Sequence, residues 1–490
     1  MDYSLYLMPM FSSLLISVSL LILLISFGQK YSNDDGRTSN RHIHKKGILR
    51  FGGIALIGSF LFAILLDKNL VIGAPLLGVL FGSLLILFLG VVDDFKQIAW
   101  KKQLFFQFLI VIFVYIMGVH LEYVTNPFGG VLVLDAGWGY VFGFLISTIW
   151  IIFLMNAMNW VDGIDGVAGG VALIGIVAIF FLSLRPEVNQ PPIGIIAAVF
   201  AGGLVAFLLF NFYPAKILAG SSGSMFIGFI LAVLAIFAGA KIATTLLVLA
   251  VPIIDALWVI GERFKAGASI FSGDRRHLHF RLLELGWSQR NICLFYYVIT
   301  ALVAFIALNT QALEKMIALF LVTMVILVFF VIIRRKMKIK KIALLMLALV
   351  IFVFAIGYVS KRVYSFAGNR IVPVNIKNNI FYAEFVSSSQ KMQKGLGGRV
   401  DMCENCGMLF EFQKSSQHTF WMKNMQFPLD ILWISKNEIV YIEKNIKPDL
   451  VGILIPNSDA DKVLELNAGT VDDLGIEVGD SIAFEKMRKS

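Results

Sequence analysis

Residues 139–156 read GYVFGFLISTIWIIFLMN, and residues 157–170 continue as AMNWVDGIDGVAGG. The first stretch holds no charged side chain, and a helix needs about 17–25 such residues to cross the hydrocarbon core of a bilayer. Asp162 and Asp165 follow where such a helix would leave the hydrocarbon. The stretch therefore predicts a transmembrane helix that brings carboxylates to one membrane surface.

Comparable apolar runs recur along the first 359 residues. The chain is 58% hydrophobic and 15% charged, with a mean hydropathy of +0.82, whereas soluble globular proteins average about 45–50% apolar and about 25% charged residues. This composition excludes an ordinary soluble enzyme and a disordered chain. We expect a polytopic all-α membrane protein with about 12 transmembrane helices, at residues 8–27, 49–66, 72–92, 103–119, 139–156, 167–184, 193–210, 223–239, 242–260, 292–309, 313–333 and 342–359. The first run does not resemble a cleaved signal peptide, because basic residues follow it and no small-residue cleavage site closes it.

The charges divide the chain near residue 360. Residues 1–359 hold 26 Lys and Arg against 16 Asp and Glu, so the whole net charge of +10 lies there, while residues 360–490 hold 16 of each sign. We expect a membrane-embedded domain at 1–359, a linker at 360–374 and a β-rich domain at 375–490.

The loops that are rich in Lys and Arg follow the first, third, ninth and eleventh runs. The positive-inside rule assigns these loops to the cytoplasm. The N-terminus and the C-terminal domain are then expected outside it, in a multi-pass protein of a bacterial-type plasma membrane.

Carboxylates and imidazoles gather in the loops that we expect to be cytoplasmic: Asp93, Asp94, Asp162, Asp165, His44, His277 and His279. Four carboxylates at one face suit Mg²⁺, which prefers oxygen ligands and often shares them with substrate phosphates. Basic groups beside them suit a diphosphate, and the combination is typical of phosphoryl transfer. Each element also has a simpler interpretation, as a solvated helix end, a helix cap or a topology determinant.

Seven motifs follow one another between about residues 40 and 290: ILRFGG, GVVDDF with Gln107 downstream, NAMNWVDGIDG, FNFYPAK, GSSGSMFIG, VPIID and DRRHLHFRLLELG. This series resembles the polyprenyl-phosphate N-acetylhexosamine-1-phosphate transferases, the glycosyltransferase family 4 enzymes of the WecA, TagO and MraY types. The resemblance implies a phosphotransferase that depends on Mg²⁺, with Mn²⁺ as an alternative. Its substrates would be a UDP-sugar, by family default UDP-N-acetylglucosamine, and undecaprenyl or another polyprenyl phosphate. It would release UMP and initiate cell-envelope glycan synthesis.

The resemblance also implies roles for individual residues. The catalytic groups would be Asp93, Asp94, Asp162, Asp165, His277 and His279, and the same four aspartates would hold the metal. The substrate-binding groups would be His44, Asn156, Asn159, Asn211, Lys216 and Arg275. The expected partners are the UDP-sugar, the lipid phosphate and the membrane, without nucleic acid; a homo-oligomer stays open.

Two positions depart from the family pattern. Family members usually carry Asp where Ser221 stands and Lys where Gln103 stands. Three explanations stay open: Asp162, Asp165 and Asp93 hold the metal without Ser221, the metal is held more weakly, or the chain is a catalytically impaired transferase that tethers the outer domain. A transporter or flippase is the third hypothesis, because twelve spans also suit transport, although the charged groups lie at one face rather than at mid-span.

The C-terminal part alternates short β-type runs with turns, and its motifs CGMLF, FWMKNM, PLDI and VLELNAG resemble domain of unknown function 192. We expect a small sheet or barrel, an α+β domain with one helix near residues 459–466. Cys403 and Cys406 form a C-x-x-C pair. This pair predicts a disulfide, a redox-active site, or half of a metal site with His418 as a third ligand.

Overall fold

The apolar runs of the sequence become helices in the computed structural model, which divides the chain into two units, Met1–Val353 and Phe354–Ser490. The structure describes residues 4–28, 48–121, 123–125, 131–134, 137–184, 190–237, 242–269, 275–309, 312–334, 369–388, 391–392, 395–397, 399, 402–422, 425–450 and 452–484.

The described part of the first unit is helical, with one short hairpin of strands β1 (Tyr123–Thr125) and β2 (Val131–Val133). Its helices are α1 (Ser4–Gly28), α2 (Gly52–Leu66), α3 (Ala74–Lys96), α4 (Trp100–Ile116), α5 (Trp138–Val161), α6 (Val167–Ser183), α7 (Pro191–Asn211), α8 (Gly220–Phe237), α9 (Ile242–Val248), α10 (Ala250–Lys265), α11 (Leu278–Glu284), α12 (Gln289–Asn309) and α13 (Ala312–Arg334).

Six of these helices, α1, α3, α5, α7, α8 and α12, are long and apolar enough to cross a membrane, and α2, α6 and residues Ala318–Phe330 are shorter apolar helices. They confirm the prediction of a multi-pass helical membrane protein. The count of twelve stays a prediction, because the run at 342–359 lies outside the described residues. The predicted ninth span is divided into α9 and α10. Pro252 follows this division and has no N–H to donate to the carbonyl four residues earlier.

Helix α8 is the most enclosed of the six long helices, with 83% of its residues buried. Glycines let its neighbours approach its backbone. A Cβ built on Gly228 would lie 2.3 Å from the Leu154 carbonyl oxygen of α5, and one built on Gly90 of α3 would lie 2.2 Å from the Ser222 Cα. The ends of α3, α5 and α8 that carry the conspicuous polar residues are therefore held within backbone contact of one another.

The second unit is built on a seven-stranded sheet with the order β7-β6-β8-β5-β4-β3-β9. The strands are β3 (Arg370–Ile376), β4 (Asn379–Val386), β5 (Cys406–Ser416), β6 (Leu429–Ser435), β7 (Glu438–Ile446), β8 (Ala460–Asn467) and β9 (Ile482–Phe484). Only β4 and β5 pair in parallel; the other neighbours are antiparallel. The prediction of a β-rich domain is confirmed.

The predicted helix near residues 459–466 is wrong. That segment is β8, an interior strand of the sheet, and the short helix in this region is α14 (Thr470–Asp473). Apolar clusters cover both faces of the sheet, with Leu464 in one and Val463 in the other. A strand buried on both faces has a nearly continuous apolar pattern, which periodicity cannot distinguish from a buried helix.

Candidate functional site

Asp94, near the end of α3, caps the N-terminus of α8. Its Oδ1 accepts the Ser221 N–H at 2.9 Å, and its Oδ2 accepts the Ser222 N–H at 3.4 Å. A carboxylate at this position satisfies free amides and complements the positive end of the helix dipole. The side chain is buried, so Asp94 fixes α3 against α8.

Asp93, its neighbour, has a different environment. Its Oδ1 accepts the Ile98 N–H at 2.8 Å, within the loop that follows α3, and the residue is half-buried. The recorded hydrogen bond uses one carboxylate oxygen. The two adjacent aspartates are thus not equivalent, although the sequence gives no means of telling them apart.

The segment before α2 pairs with the segment before α8. Leu49 and Ile217 form a parallel bridge, and the Gly52 N–H donates to the Leu218 carbonyl at 2.9 Å. This pairing delays the start of α2 and places Arg50 beside the cap, because a Cβ on Gly220 would lie 2.3 Å from the Arg50 carbonyl oxygen.

Asp165 and Asn211 hold the DGIDG turn after α5 against the segment that follows α7. The Asp165 Oδ2 accepts the Ala215 N–H at 2.9 Å. The Asn211 Oδ1 accepts the Gly166 N–H at 3.0 Å, and its Nδ2 donates to the Ile217 carbonyl at 2.9 Å. Both side chains are buried and act as structural clamps.

Asp162 differs from the other three aspartates. Its carboxylate has no hydrogen bond among the residues that the structure describes, and it interacts electrostatically with Arg50, Asp94 and Asp165. Burial raises the pKa of Asp162 well above its ordinary range, the Arg50 charge lowers it, and the two neighbouring carboxylates raise it further. Asp162 is therefore a carboxylate whose oxygens are available to a ligand.

Asn156 and Asn159 of α5 join a polar ladder between helices. The Asn156 Nδ2 donates to the Gln107 Oε1 at 2.7 Å, and the Gln107 Nε2 lies 3.2 Å from the Met225 Sδ. The Ser224 Oγ donates to the Asn159 Oδ1 at 2.7 Å. The ladder connects α4, α5 and α8, and it begins one turn from Gln103, whose Nε2 lies 3.5 Å from the same sulfur atom.

His277 is paired with Asp255 of α10, a residue that the sequence reasoning left without a role. The His277 Nδ1 lies 3.0 Å from the Asp255 Oδ2, and the Leu278 N–H donates to the Asp255 Oδ1 at 2.8 Å. Asp255 is fully buried and His277 is nearly so. The sequence did hold a signal, since a lone carboxylate in an apolar stretch such as VPIID is functional by default.

His279 connects the loop that contains His277 and His279 to the DGIDG turn (Asp162–Gly166). A Cβ built on Gly163 would lie 2.4 Å from the His279 Nε2, and the His279 ring lies parallel to that of His277, with centroids 5.8 Å apart. Neither ring nitrogen of His279 has a hydrogen bond among the described residues. Burial, reinforced by His277, lowers the pKa of His279 to about 3, so this ring is neutral.

The remaining predicted residues are exposed or lie outside the described residues. The side chains of Lys216 and Arg275 are exposed, and the Arg275 Cζ lies 6.0 Å from the Phe280 ring centroid. His44 lies outside the described residues.

Comparison with known proteins places the first unit in a family. A family model described as glycosyl transferase family 4 matches residues 76–239. A decaprenyl-phosphate N-acetylglucosaminephosphotransferase of Mycobacterium leprae is 33% identical over 302 residues, which cover 55% of this chain and 75% of that protein. The chain belongs to glycosyl transferase family 4.

Other relatives of this family 4 transferase have related names. A protein of Bacillus subtilis named as a probable undecaprenyl-phosphate N-acetylglucosaminyl 1-phosphate transferase is 28% identical over 53% of this chain and 73% of its own length. A phospho-N-acetylmuramoyl-pentapeptide-transferase of Desulforudis audaxviator is 29% identical over 58% of this chain and 90% of its own length. The family and these relatives make the chain an enzyme of the phosphotransferase class.

A second family model, described as uncharacterized, matches residues 372–484 of the transferase and is that of domain of unknown function 192. A crystal structure of a protein of unknown function from Novosphingobium aromaticivorans is 31% identical, covers 25% of this chain and 90% of that chain, and has a TM-score of 0.24. The two family models confirm both predicted family resemblances.

Family 4 enzymes depend on a divalent metal, so the carboxylates of this transferase must be judged as ligands. Within the described residues no three His, Cys, Asp or Glu side chains form a cluster that could hold a metal. Asp94 accepts backbone amides with both of its oxygens, Asp93 and Asp165 each accept one backbone amide with a single oxygen, and Asp162 accepts no hydrogen bond from the described residues. The donor chemistry fits a cation held mainly by Asp162, with substrate phosphates or water completing the shell.

Proposed function

We propose that this transferase moves a sugar-1-phosphate from a UDP-sugar to a polyprenyl phosphate, with N-acetylglucosamine-1-phosphate as the transferred group. An oxygen of the lipid phosphate attacks the phosphorus that carries the sugar, a new P–O bond forms, and UMP leaves as the diphosphate bond breaks. The names of the relatives support this substrate class.

The observation that carries the proposal is the meeting of five separate segments. The pairing of residues 49–53 with 217–219, the Asp94 cap on α8, the DGIDG turn and the His277–His279 loop are joined by the contacts described above. They meet around Asp162, whose carboxylate accepts no hydrogen bond from the described residues and interacts electrostatically with Arg50. A packed helical bundle has no structural need for such a carboxylate, since buried charges are costly unless paired.

In this mechanism different residues bind the cation, support the site and contact the phosphates. Asp162 and Asp93 would hold the cation and thereby orient the diphosphate, and a bound Mg²⁺ would neutralise charge on the phosphate oxygens. Asp94, Asp165 and Asn211 keep the frame in place through their backbone contacts. The Asp255 carboxylate fixes the His277 ring by its Nδ1, which leaves Nε2 to contact a phosphate. Arg275 and Lys216, both exposed, would reach the diphosphate from the open side.

We further propose that this site faces the cytoplasm and that the C-terminal domain lies outside it. The support is the distribution of Lys and Arg, which are concentrated in alternate loops. UDP-sugars are cytosolic, so this orientation gives the site its donor.

The test uses membranes that contain the full chain, polyprenyl phosphate and UDP-N-acetylglucosamine labelled in the sugar. Transfer gives label that is extractable into organic solvent, together with UMP. Label that accumulates inside vesicles without a lipid product would indicate a transporter, and neither result would indicate an inactive scaffold. A panel of UDP-sugars in the same assay identifies the donor.

Asp162→Asn is the decisive variant, and Asp67→Asn is its matched control. Asp67 accepts the Asn69 and Leu70 N–H groups at the opposite end of α2, and the Asn side chain keeps an accepting oxygen there. We expect Asp162→Asn to lower kcat on the order of 100-fold or more, because it removes the free carboxylate, and Asp67→Asn to keep normal activity. Equal activities would contradict the role of Asp162.

A further inference from the structure

The C-x-x-C turn before β5 contains two cysteines in different environments. Cys403 and Cys406 are disulfide-bonded, Cys403 is exposed, and Cys406 is half-buried at the start of the strand. A thiol-disulfide exchange site needs this asymmetry, because an outside thiol must reach one sulfur while the other waits as the resolving group.

The turn is held by contacts that do not involve sulfur. The Asn467 Nδ2 donates to the Met402 carbonyl at 3.2 Å and to the Cys403 carbonyl at 2.9 Å, and the Cys406 N–H donates to the Cys403 carbonyl at 3.0 Å. Opening the disulfide would therefore leave the turn in place. A disulfide whose only role is to hold the turn would not require these additional hydrogen bonds.

A buried acid lies on the same face of the sheet. Glu465 of β8 is 5% exposed, and its Oε2 has no hydrogen-bond partner among the described residues. Glu465 is opposite Met408, and Gly407 is opposite Leu466, so alternation puts Cys406 and Glu465 on one face, one row apart. Diagonal neighbours of this kind are within reach of a long side chain.

Among the described residues, Arg399 is the charged group that acts on Glu465. Arg399 attracts it, but this guanidinium already forms two hydrogen bonds to Glu384 of β4, at 2.7 and 2.8 Å. The neighbours of Glu465 in the two adjacent strands are the uncharged Met408 and Ile431. Burial raises the pKa of Glu465 to about 8, with Arg399 opposing the rise, so the carboxyl group holds a proton at neutral pH.

We propose that Cys403 and Cys406 form a redox-active site that exchanges its disulfide with a partner dithiol, and that Glu465 carries the proton for Cys406. A thiolate of the partner attacks the Cys403 Sγ, and the S–S bond breaks. Cys406 leaves as a thiolate and takes a proton from Glu465. The second partner thiol then attacks the mixed disulfide and releases Cys403. The partner dithiol is oxidised, the protein disulfide is reduced, and two electrons pass between them.

The alternative of a metal site is not supported by the geometry. His418, the proposed third ligand, stacks on Phe412 and its Nε2 lies 2.9 Å from the Lys414 carbonyl oxygen. Phe412 is six residues along β5 from Cys406, which corresponds to about 20 Å at the rise of a strand. His418 and the two cysteines therefore belong to separate places on the sheet.

The proposal is tested with the full chain in detergent, a peptide that contains two thiols as the partner, and oxidised glutathione as the terminal oxidant. We expect the wild type to oxidise the peptide at least about tenfold faster than the Cys403→Ser/Cys406→Ser double variant. Equal rates would show that the disulfide is structural only and would overturn the proposal.

Single variants test the division of roles. Cys406→Ser leaves the exposed Cys403 thiol and should accumulate a mixed disulfide with the peptide after oxidation by glutathione disulfide, which mass spectrometry detects. Cys403→Ser retains the half-buried Cys406 thiol and should not accumulate a mixed disulfide with the peptide. The opposite pattern, or none, would contradict the assignment of Cys403 as the attacked sulfur, and this result does not depend on Glu465.

Glu465→Gln keeps the shape of the side chain and removes the acid. We expect exchange to slow at least about fivefold near neutral pH and to lose its dependence on a group that titrates near pH 8. Glu438→Gln, on the exposed start of β7, is the matched control and should behave as the wild type. A Glu465→Gln variant with an unchanged rate and pH profile would remove Glu465 from the proposal.

Discussion

At the scale of the residue, four aspartates that look alike in the sequence have four different environments. Asp94 caps α8, Asp165 accepts an amide from the segment after α7, and Asp93 accepts an amide from the loop that follows α3. Asp162 accepts no hydrogen bond from the described residues. The sequence indicates all four as candidates, because carboxylates near apolar runs are scarce. It could not rank them, since the amides that occupy Asp94 come from a segment 127 positions away.

Asp255 offers a test of positioning. Asp255→Asn keeps an oxygen for the Leu278 N–H but no longer anchors His277 as a charged acceptor. We expect kcat for sugar-phosphate transfer to fall on the order of 10- to 100-fold while the protein stays folded. The assay is the labelled-lipid assay, with KM for the UDP-sugar measured in parallel. An unchanged kcat would show that the pair is only structural.

Ser221 offers a test of metal dependence. Ser221→Asp would place a carboxylate beside Asp94 and near Asp162, at the position where the family usually has Asp. We expect the Mg²⁺ concentration for half-maximal activity to fall about fivefold or more, because oxygen ligands with charge bind Mg²⁺ more tightly. Transfer is measured against Mg²⁺ concentration for both forms. A wild type that is inert at every concentration beside an active Ser221→Asp would refute the proposal of an active enzyme.

At the scale of the element, the helices show what run length can and cannot predict. Apolar length located α1 to α8, α12 and α13, because crossing a bilayer imposes the length directly. It missed the division between α9 and α10 and the late start of α2. The first is set by local backbone chemistry at Pro252, and the second by pairing of residues 49–53 with 217–219. Neither effect changes hydropathy.

The contact of α5 with α8 depends on Gly228. The Cβ of Gly228→Ala would lie 2.3 Å from a backbone oxygen of α5, so the two helices must separate. We expect a loss of about 1–3 kcal/mol in the free energy of unfolding, seen as a lower Tm of the detergent-solubilised protein. Gly261→Ala in α10, whose Cβ would have nothing within 4 Å, is the control and should be neutral or stabilising. Similar Tm values for the two variants would contradict this packing.

Glu465 in strand β8 makes the stability of the folded domain depend on pH. Because burial raises its pKa from 4.5 to about 8, the folded state binds the proton more tightly than the unfolded state. The stability of the domain should therefore fall as pH rises from about 4.5 to about 8, and then level off. Glu465→Gln lacks this pH dependence, so its Tm advantage over the wild type should grow between pH 5 and pH 8. A constant difference in Tm would show that Glu465 is not held protonated.

At the scale of the whole molecule, the chain is two units with separate cores and separate chemistry. Every residue proposed for transfer lies before residue 282, and the disulfide lies in the sheet unit. The change in charge balance near residue 360 lies close to the division between the two units, after Val353.

Removal of the sheet unit tests this independence. We expect a chain that ends at residue 359 to retain sugar-phosphate transfer within about twofold of the full chain, because its site residues are all present. The labelled-lipid assay at matched protein levels measures it. Loss of transfer in a truncated protein that keeps its Tm would mean that the sheet unit contributes to the reaction.

The Asp94 cap on α8 also sets a schedule for biosynthesis. The amides that this carboxylate needs are made 127 residues after it, which at 5–20 residues per second is a delay of roughly 6–25 s on the ribosome. During that interval the Asp94 carboxylate does not yet have the Ser221 and Ser222 amides. A nascent chain stopped before Gly220 has the aspartates but not the helix that orders them. The candidate site is thus complete only after residues 217–222, and later His277 and His279, have been added to the chain.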